Sequence, residues 1–138
     1  MEARVRWSGE GVSFLGESGS GHAVVIDGPP DYGGRNLGPR PMEMVLLGLG
    51  SCALFDVVVI LKKSRQPFTG CEVQIEAERR EEVPKVFKKI QLNFRVKGEG
   101  VEREAVERAV RLSLEKYCSV AAMLRHTAQI EYRFEIVP

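Results

Sequence analysis

The sequence is poor in the residues that most often advertise a chemistry. Its only two histidines, His22 and His126, lie at no metal-ligand spacing from a cysteine, so no metal site is expected. It has three cysteines, Cys52, Cys71 and Cys118, an odd number without paired spacing, which excludes a disulfide scaffold. Net charge is almost absent. Twenty basic against 19 acidic side chains leave +1, which argues against nucleic acid or an anionic membrane as the main partner. No GxGxxG or Walker-type glycine loop is present, so no nucleotide cofactor is expected either. The segment Met1-Glu2-Ala3-Arg4-Val5-Arg6-Trp7 lacks the apolar stretch of a secretory signal, and a cytoplasmic protein with reduced thiols is expected. No repeat, linker or low-complexity segment divides the 138 residues. They read as a single domain, 1–138, long enough to bury roughly two thirds of its unfolded surface.

What the sequence does have is one long apolar run. Met44 to Leu61 carries a single charge, Asp56. The length is borderline for a membrane span, and Asp56 would cost about 2.5–3.5 kcal/mol near a bilayer centre. Strand-like segments flank it, so a helix buried in protein fits better. Pro41 suits the first turn of that helix and Glu43 the positive end of its dipole. Lys62, Lys63 and Arg65 suit its C-terminus, and Pro67 stops it. The apolar residues fall on almost every face, so the helix needs cover all round. A chain of this size can hardly supply it alone, and an obligate homodimer is expected.

The remaining segments alternate between strand and turn signals. Residues 1–7, 12–15 and 22–26 predict an antiparallel meander, with Gly16 to Gly21 as a turn. Asp27 to Pro41 is rich in glycine and proline and predicts a long loop of the kind that is often functional. Cys71 to Glu78 and Phe87 to Val96 alternate with period two and predict a long hairpin. Arg103 to Tyr117 predicts an amphipathic helix, with Glu104–Arg108 and Glu107–Arg111 ion pairs along it. A break is expected near Cys118-Ser119, with Ser119 capping a second short helix through Arg125. Ala128 to Val137 predicts a last strand. The order βββ-α-ββ-α(α)-β predicts an α+β fold.

Candidate chemistry starts with the thiols. Cys52 lies mid-helix after Gly48 and Gly50, which leave space beside it for a ligand or another backbone. Cys118 sits at the predicted helix break, where a thiol at a helix N-terminus can become reactive. A buried cysteine also serves as a small hydrophobe, and Cys71, opening a strand, reads that way. Glu43 precedes Cys52 by nine residues, about 13 Å along a helix axis and on a different face. It cannot touch Cys52 within one straight helix, although it could meet the Cys52 of a second copy. Asp56, one turn past Cys52, is either its neighbour or a buried carboxylate with a partner elsewhere.

These residues resemble the OsmC/Ohr family, most closely its YhfA-like branch. The resemblance runs through Ala3-Arg4-Val5-Arg6-Trp7 and Phe14-Leu15-Gly16-Glu17-Ser18-Gly19-Ser20-Gly21-His22. It continues through Gly38-Pro39-Arg40-Pro41-Met42-Glu43-Met44, Gly50-Ser51-Cys52 and Asp56-Val57-Val58-Val59-Ile60-Leu61-Lys62-Lys63, and ends in Ala109 to Val120. It implies an OsmC-like fold, two intertwined α+β subunits with the long helices at the interface. It also implies a thiol-dependent peroxidase that reduces organic hydroperoxides, with Cys52 as the peroxidatic thiol, Cys118 as the resolving thiol and Glu43 as the acidic partner. An external dithiol, lipoyl-type or a small thiol, would reduce the resulting disulfide. Family peroxidases also use an arginine in an N-terminal loop. The segment from Trp7 to His22 has none, so Arg35 and Arg40 are expected to take its place, with Arg4 and Arg6 as weaker substitutes. A thiol without a cation beside it would react slowly. The competing expectation is therefore a non-enzymatic dimer that binds a small apolar or thiol ligand in the same pocket.

Overall fold

In the computed structural model, which describes residues 1–138, the chain falls into two compact units, Met1–Leu47 and Gly48–Pro138. The first unit is the predicted meander and its loop. Strands β1 (Ala3–Trp7), β2 (Ser13–Ser18) and β3 (Ala23–Asp27) form an antiparallel sheet in sequence order. Strand β2 runs further than its sequence predicts. Gly16, Glu17 and Ser18, expected in a turn, pair with Val5, Arg4 and Ala3 of β1. A Cβ at Gly16 would touch Val24 and Ile26 at 3.4 Å, so a small residue suits this stretch of sheet. Trp7 and Val5 of β1 are more than half exposed. The following loop contains one short 3-10 turn, Pro30–Tyr32.

Helix α1 (Pro41–Lys63) follows the loop and matches the predicted bounds closely. In the second unit its buried residues are Leu49, Gly50, Ala53, Val57 and Leu61, a stripe of four-residue spacing. A Cβ at Gly50 would lie 2.9 Å from Ile75 Cδ1, so this glycine gives the Ile75 side chain room against the helix. Gly48 has open space beside it. Strands β4 (Gly70–Arg79) and β5 (Phe87–Lys97) form the expected hairpin. Strand β6 (Gln129–Val137) joins β5 in parallel, giving the order β4-β5-β6. A parallel neighbour cannot be reached by a tight turn; the helical segments between β5 and β6 make the crossover.

The centre of this unit is largely apolar. Ile90, Leu92, Phe94 and Val96 project from one face of β5 and are 0–1% exposed, with Val106, Ala109 and Val110 of α2 (Arg103–Leu112) also at 0%. Each such side chain contributes about 1.5–3 kcal/mol on burial when its size is that of Val or Leu. The opposite face of the sheet is polar, with Arg95 between Glu72 and Glu135 and Lys89 paired with Glu131. Of the two predicted ion pairs on α2, Glu107–Arg111 forms at 3.1 Å, whereas Arg108 makes no ion pair with Glu104.

The remaining faces of α1 are not enclosed in the same way. Phe55 is 68% exposed, and only the single stripe is fully buried. By length and composition alone the helix could cross a membrane. Its buried stripe packs toward Val73 and Ile75 in the second unit.

Candidate thiol site

The predicted amphipathic helix does not run unbroken to Tyr117. Helix α2 stops at Leu112, and Ser113–Tyr117 forms one π turn. A π turn inserts a residue into a helix and is frequent at functional sites. Here the Cys118 N–H donates to the Ser113 carbonyl at 2.7 Å, five residues back. Arg125 donates through its guanidinium to the Leu114 carbonyl.

The chain then turns at Cys118 into helix α3 (Ser119–Leu124). The expected cap was Ser119, but the cap is Cys118. Its Sγ accepts from the Ala121 N–H at 3.4 Å, and its extended backbone is that of an N-cap residue.

The same turn brings the two predicted redox cysteines together. The Cys52 and Cys118 side chains are close enough for each to act on the other's ionisation, and both are free thiols. Cys52 is half-buried and Cys118 is buried. Burial pushes the Cys118 thiol up to about 11; the neighbouring Cys52 adds to the rise, while the Ala121 and Val120 N–H groups oppose it. Cys71 is elsewhere, on β4 beside Val96. Burial and the Glu72 charge push it up to about 11 as well.

Asp56 finds its partner in Ser113. The Ser113 hydroxyl, 0% exposed, lies 2.8 Å from the Ala53 carbonyl and 3.1 Å from the Asp56 carboxylate. Sequence reasoning missed Ser113, because a serine inside an amphipathic pattern carries no signal of a partner 57 residues away.

The other predicted site residues lie in the first unit. Glu43 turns back at the start of α1 and accepts from the Arg40 N–H at 2.8 Å, the acidic half of a capping box. The Arg40 guanidinium lies 3.9 Å from the same carboxylate and donates to Asn36 at 3.1 Å. Arg35 is held by Glu10 at 2.9 Å and by the Ser13 hydroxyl at 3.2 Å. The weaker candidates Arg4 and Arg6 both face Glu17.

Asp27 organises the loop that carries Arg35 and Arg40. It is 1% exposed and accepts from the Gly28, Arg35 and Leu37 N–H groups. The Leu37 N–H bond leads in holding its carboxyl below the usual range; burial opposes. An aspartate opening a Gly- and Pro-rich loop was the available signal, since such side chains bind the backbone that follows them. No three His, Cys, Asp or Glu side chains converge as a metal would require.

The comparisons with known proteins agree on the family. A model of the OsmC-like protein family matches residues 33–133. The chain is 50% identical over 137 residues to Protein YhfA of Escherichia coli (strain K12), covering 99% of this chain and 98% of that one. A crystal structure of a hypothetical protein from Aquifex aeolicus superposes with a TM-score of 0.86 at 34% identity, covering 99% and 96% of the two chains. An organic hydroperoxide resistance protein OsmC from Legionella pneumophila shares the fold, with a TM-score of 0.70 at 15% identity over 99% of this chain and 94% of that chain. With its mixed helices and two three-stranded sheets, the chain belongs to the OsmC-like protein family.

Proposed function

We propose that the protein is a thiol-dependent peroxidase that reduces organic hydroperoxides and protects against peroxide stress. The observation that carries this reading is the proximity of the Cys52 and Cys118 side chains, close enough to influence one another's charge although 66 residues apart in sequence. A peroxidatic thiol must meet substrate, and Cys52 is the more accessible of the two. A resolving thiol must stay intact until it is needed. Cys118 is buried, and its thiol, pushed up to about 11, stays protonated at neutral pH.

The steps balance with these two residues and an external dithiol. The Cys52 thiolate attacks the distal peroxide oxygen, the O–O bond breaks, and the alcohol leaves once its alkoxide takes a proton. Cys52 is then a sulfenic acid. Cys118 condenses with it, forming the disulfide and releasing water. A lipoyl-type or small thiol reductant returns both cysteines to thiols and is itself oxidised.

Glu43 is assigned as the acidic partner and Arg40, beside it, as the cation that orients the peroxide, in a site completed by a homodimer. Arg35 is the second candidate, and it would first have to leave Glu10 and Ser13. The exposed Phe55, Trp7 and Val5 support the dimer, because large apolar side chains in the fold's own elements call for cover. A cytoplasmic location, with its reduced thiols, belongs to the same reading.

The test is steady-state consumption of cumene hydroperoxide with dihydrolipoamide as reductant. Cys52→Ser abolishes it. Cys118→Ser halts catalysis after about one turnover. Arg40→Ala and Glu43→Gln lower kcat/KM by about tenfold or more. A fully active Cys52→Ser variant would sink the reading. Protection of Cys52 from alkylation by a bound ligand, without turnover, would favour the non-enzymatic binding dimer instead.

A further inference from the structure

The two cysteines come from elements far apart in sequence, and a single residue connects those elements close to both cysteines. Ser113 is fully buried at the start of the π turn. Its hydroxyl reaches the carbonyl of Ala53, the residue directly after Cys52, at 2.8 Å, and the Asp56 carboxylate one turn on, at 3.1 Å. Its own carbonyl accepts the Cys118 N–H at 2.7 Å. Two hydrogen bonds through Ser113 therefore join the carbonyl of Ala53, next to Cys52 in the chain, to the N–H of Cys118. A regular α-helix would instead direct the Cys118 N–H to the Leu114 carbonyl. That carbonyl is taken by Arg125. We propose that Ser113 is the positioning residue of the thiol pair, a bracket that fixes Cys118 against Cys52 through one hydroxyl and one carbonyl. This rests on the reading that Cys52 and Cys118 form a redox pair, but not on the identity of the oxidant.

The consequence is chemical. Thiols held together form an intramolecular disulfide more favourably than thiols free to separate, because the closure entropy is already spent. The bracket therefore raises the effective concentration of each thiol at the other. The Ser113 hydroxyl has one hydrogen to donate, shared between two acceptors, the Ala53 carbonyl and the Asp56 carboxylate.

The test equilibrates the full-length protein with mixtures of glutathione and glutathione disulfide and reads the Cys52–Cys118 crosslink by peptide mass spectrometry. In this reaction the Sγ–Sγ bond forms, and two electrons and the two thiol protons convert one glutathione disulfide into two glutathione molecules. Ser113→Ala is expected to lower the equilibrium constant about tenfold, which is about 30 mV for a two-electron couple. Asp56→Asn, which keeps an oxygen acceptor, stays within about twofold. Val110→Ala, a cavity in the same helix, lowers thermal stability but also leaves the constant within about twofold. On the unmodified reduced protein, the Cys118 amide hydrogen exchanges slowly if its bond to Ser113 persists in solution.

The bracket is overturned if Ser113→Ala leaves the constant unchanged, if Val110→Ala moves it equally far, or if the Cys118 amide exchanges at the rate of an open chain. A wild-type protein that forms no crosslink in glutathione disulfide overturns the redox pair and the bracket together. A wild-type protein that forms the crosslink but consumes no hydroperoxide overturns only the peroxidase.

Discussion

Asp27 and Ser113 are both buried polar side chains, and each organises the backbone around it, but they do so at different ranges. Asp27 gathers three N–H groups of the loop that follows it, none more than ten residues away. Ser113 holds groups 60 and 57 residues away on α1, as well as the nearby Cys118. Asp27 makes a loop rigid using only its own neighbourhood. Ser113 makes a pair out of two cysteines that local structure would never bring together. Asp27→Ala should therefore disturb a segment, whereas the Ser113 variant should disturb a distance.

The largest effect is expected at Asp27. Asp27→Ala strands three donors at once, and unmet buried donors are costly. The thermal midpoint should fall by several degrees, and the Gly28, Arg35 and Leu37 amides should exchange rapidly, with the Cys52–Cys118 crosslink equilibrium unchanged. A moved equilibrium would break the contrast. The acid limb has a definite sign. The folded carboxyl titrates below its unfolded value near 3.8, so its stabilisation is present above that pH and fades as pH falls towards the folded value. Asp27→Asn should flatten this acid limb in a thermal-melt series.

A smaller effect belongs to the alkaline side and the second unit. The Cys118 thiol ionises near 9.0 when unfolded and about 11 when folded. The unfolded chain loses its proton first, so stability holds below about 9 and declines between 9 and about 11. Cys71 follows the same sign over the same window. Replacing both with serine should remove much of that decline in alkaline melts. Thiolate absorbance from Cys118 appearing near neutrality would contradict its burial.

The smallest effect is expected from Arg125→Ala. It frees the Leu114 carbonyl of the π turn, a net loss of about 1 kcal/mol. Urea unfolding should register that loss, with the crosslink equilibrium shifting in the same direction as for Ser113→Ala but less far. No change in either quantity would show that the turn keeps its shape without the guanidinium.

Much of this fold was legible because period and punctuation are local. The alternation of β4, β5 and β6 and the Pro41 start of α1 come from residues that read the same in or out of the fold. Strand β2 was read short because Gly16 looked like a turn, and only its pairing with β1 and β3 overrides that signal. The π turn was invisible, since Ser113 to Tyr117 keeps a helical pattern while its hydrogen bonds shift by one residue. The parallel placement of β6 and the Ser113 bracket depend on long-range packing, which no window of sequence contains. For the site, residue chemistry nominated Cys52 and Cys118 separately. Their pairing came from family resemblance, and the structure places the two side chains near one another.

The most direct test adds one equivalent of cumene hydroperoxide to the reduced protein and follows the cysteines by peptide mass spectrometry. The account predicts rapid appearance of a Cys52–Cys118 crosslink, reversed by a dithiol, with Cys71 left free. Thiols that remain free after minutes, or a crosslink that includes Cys71 instead, would contradict it.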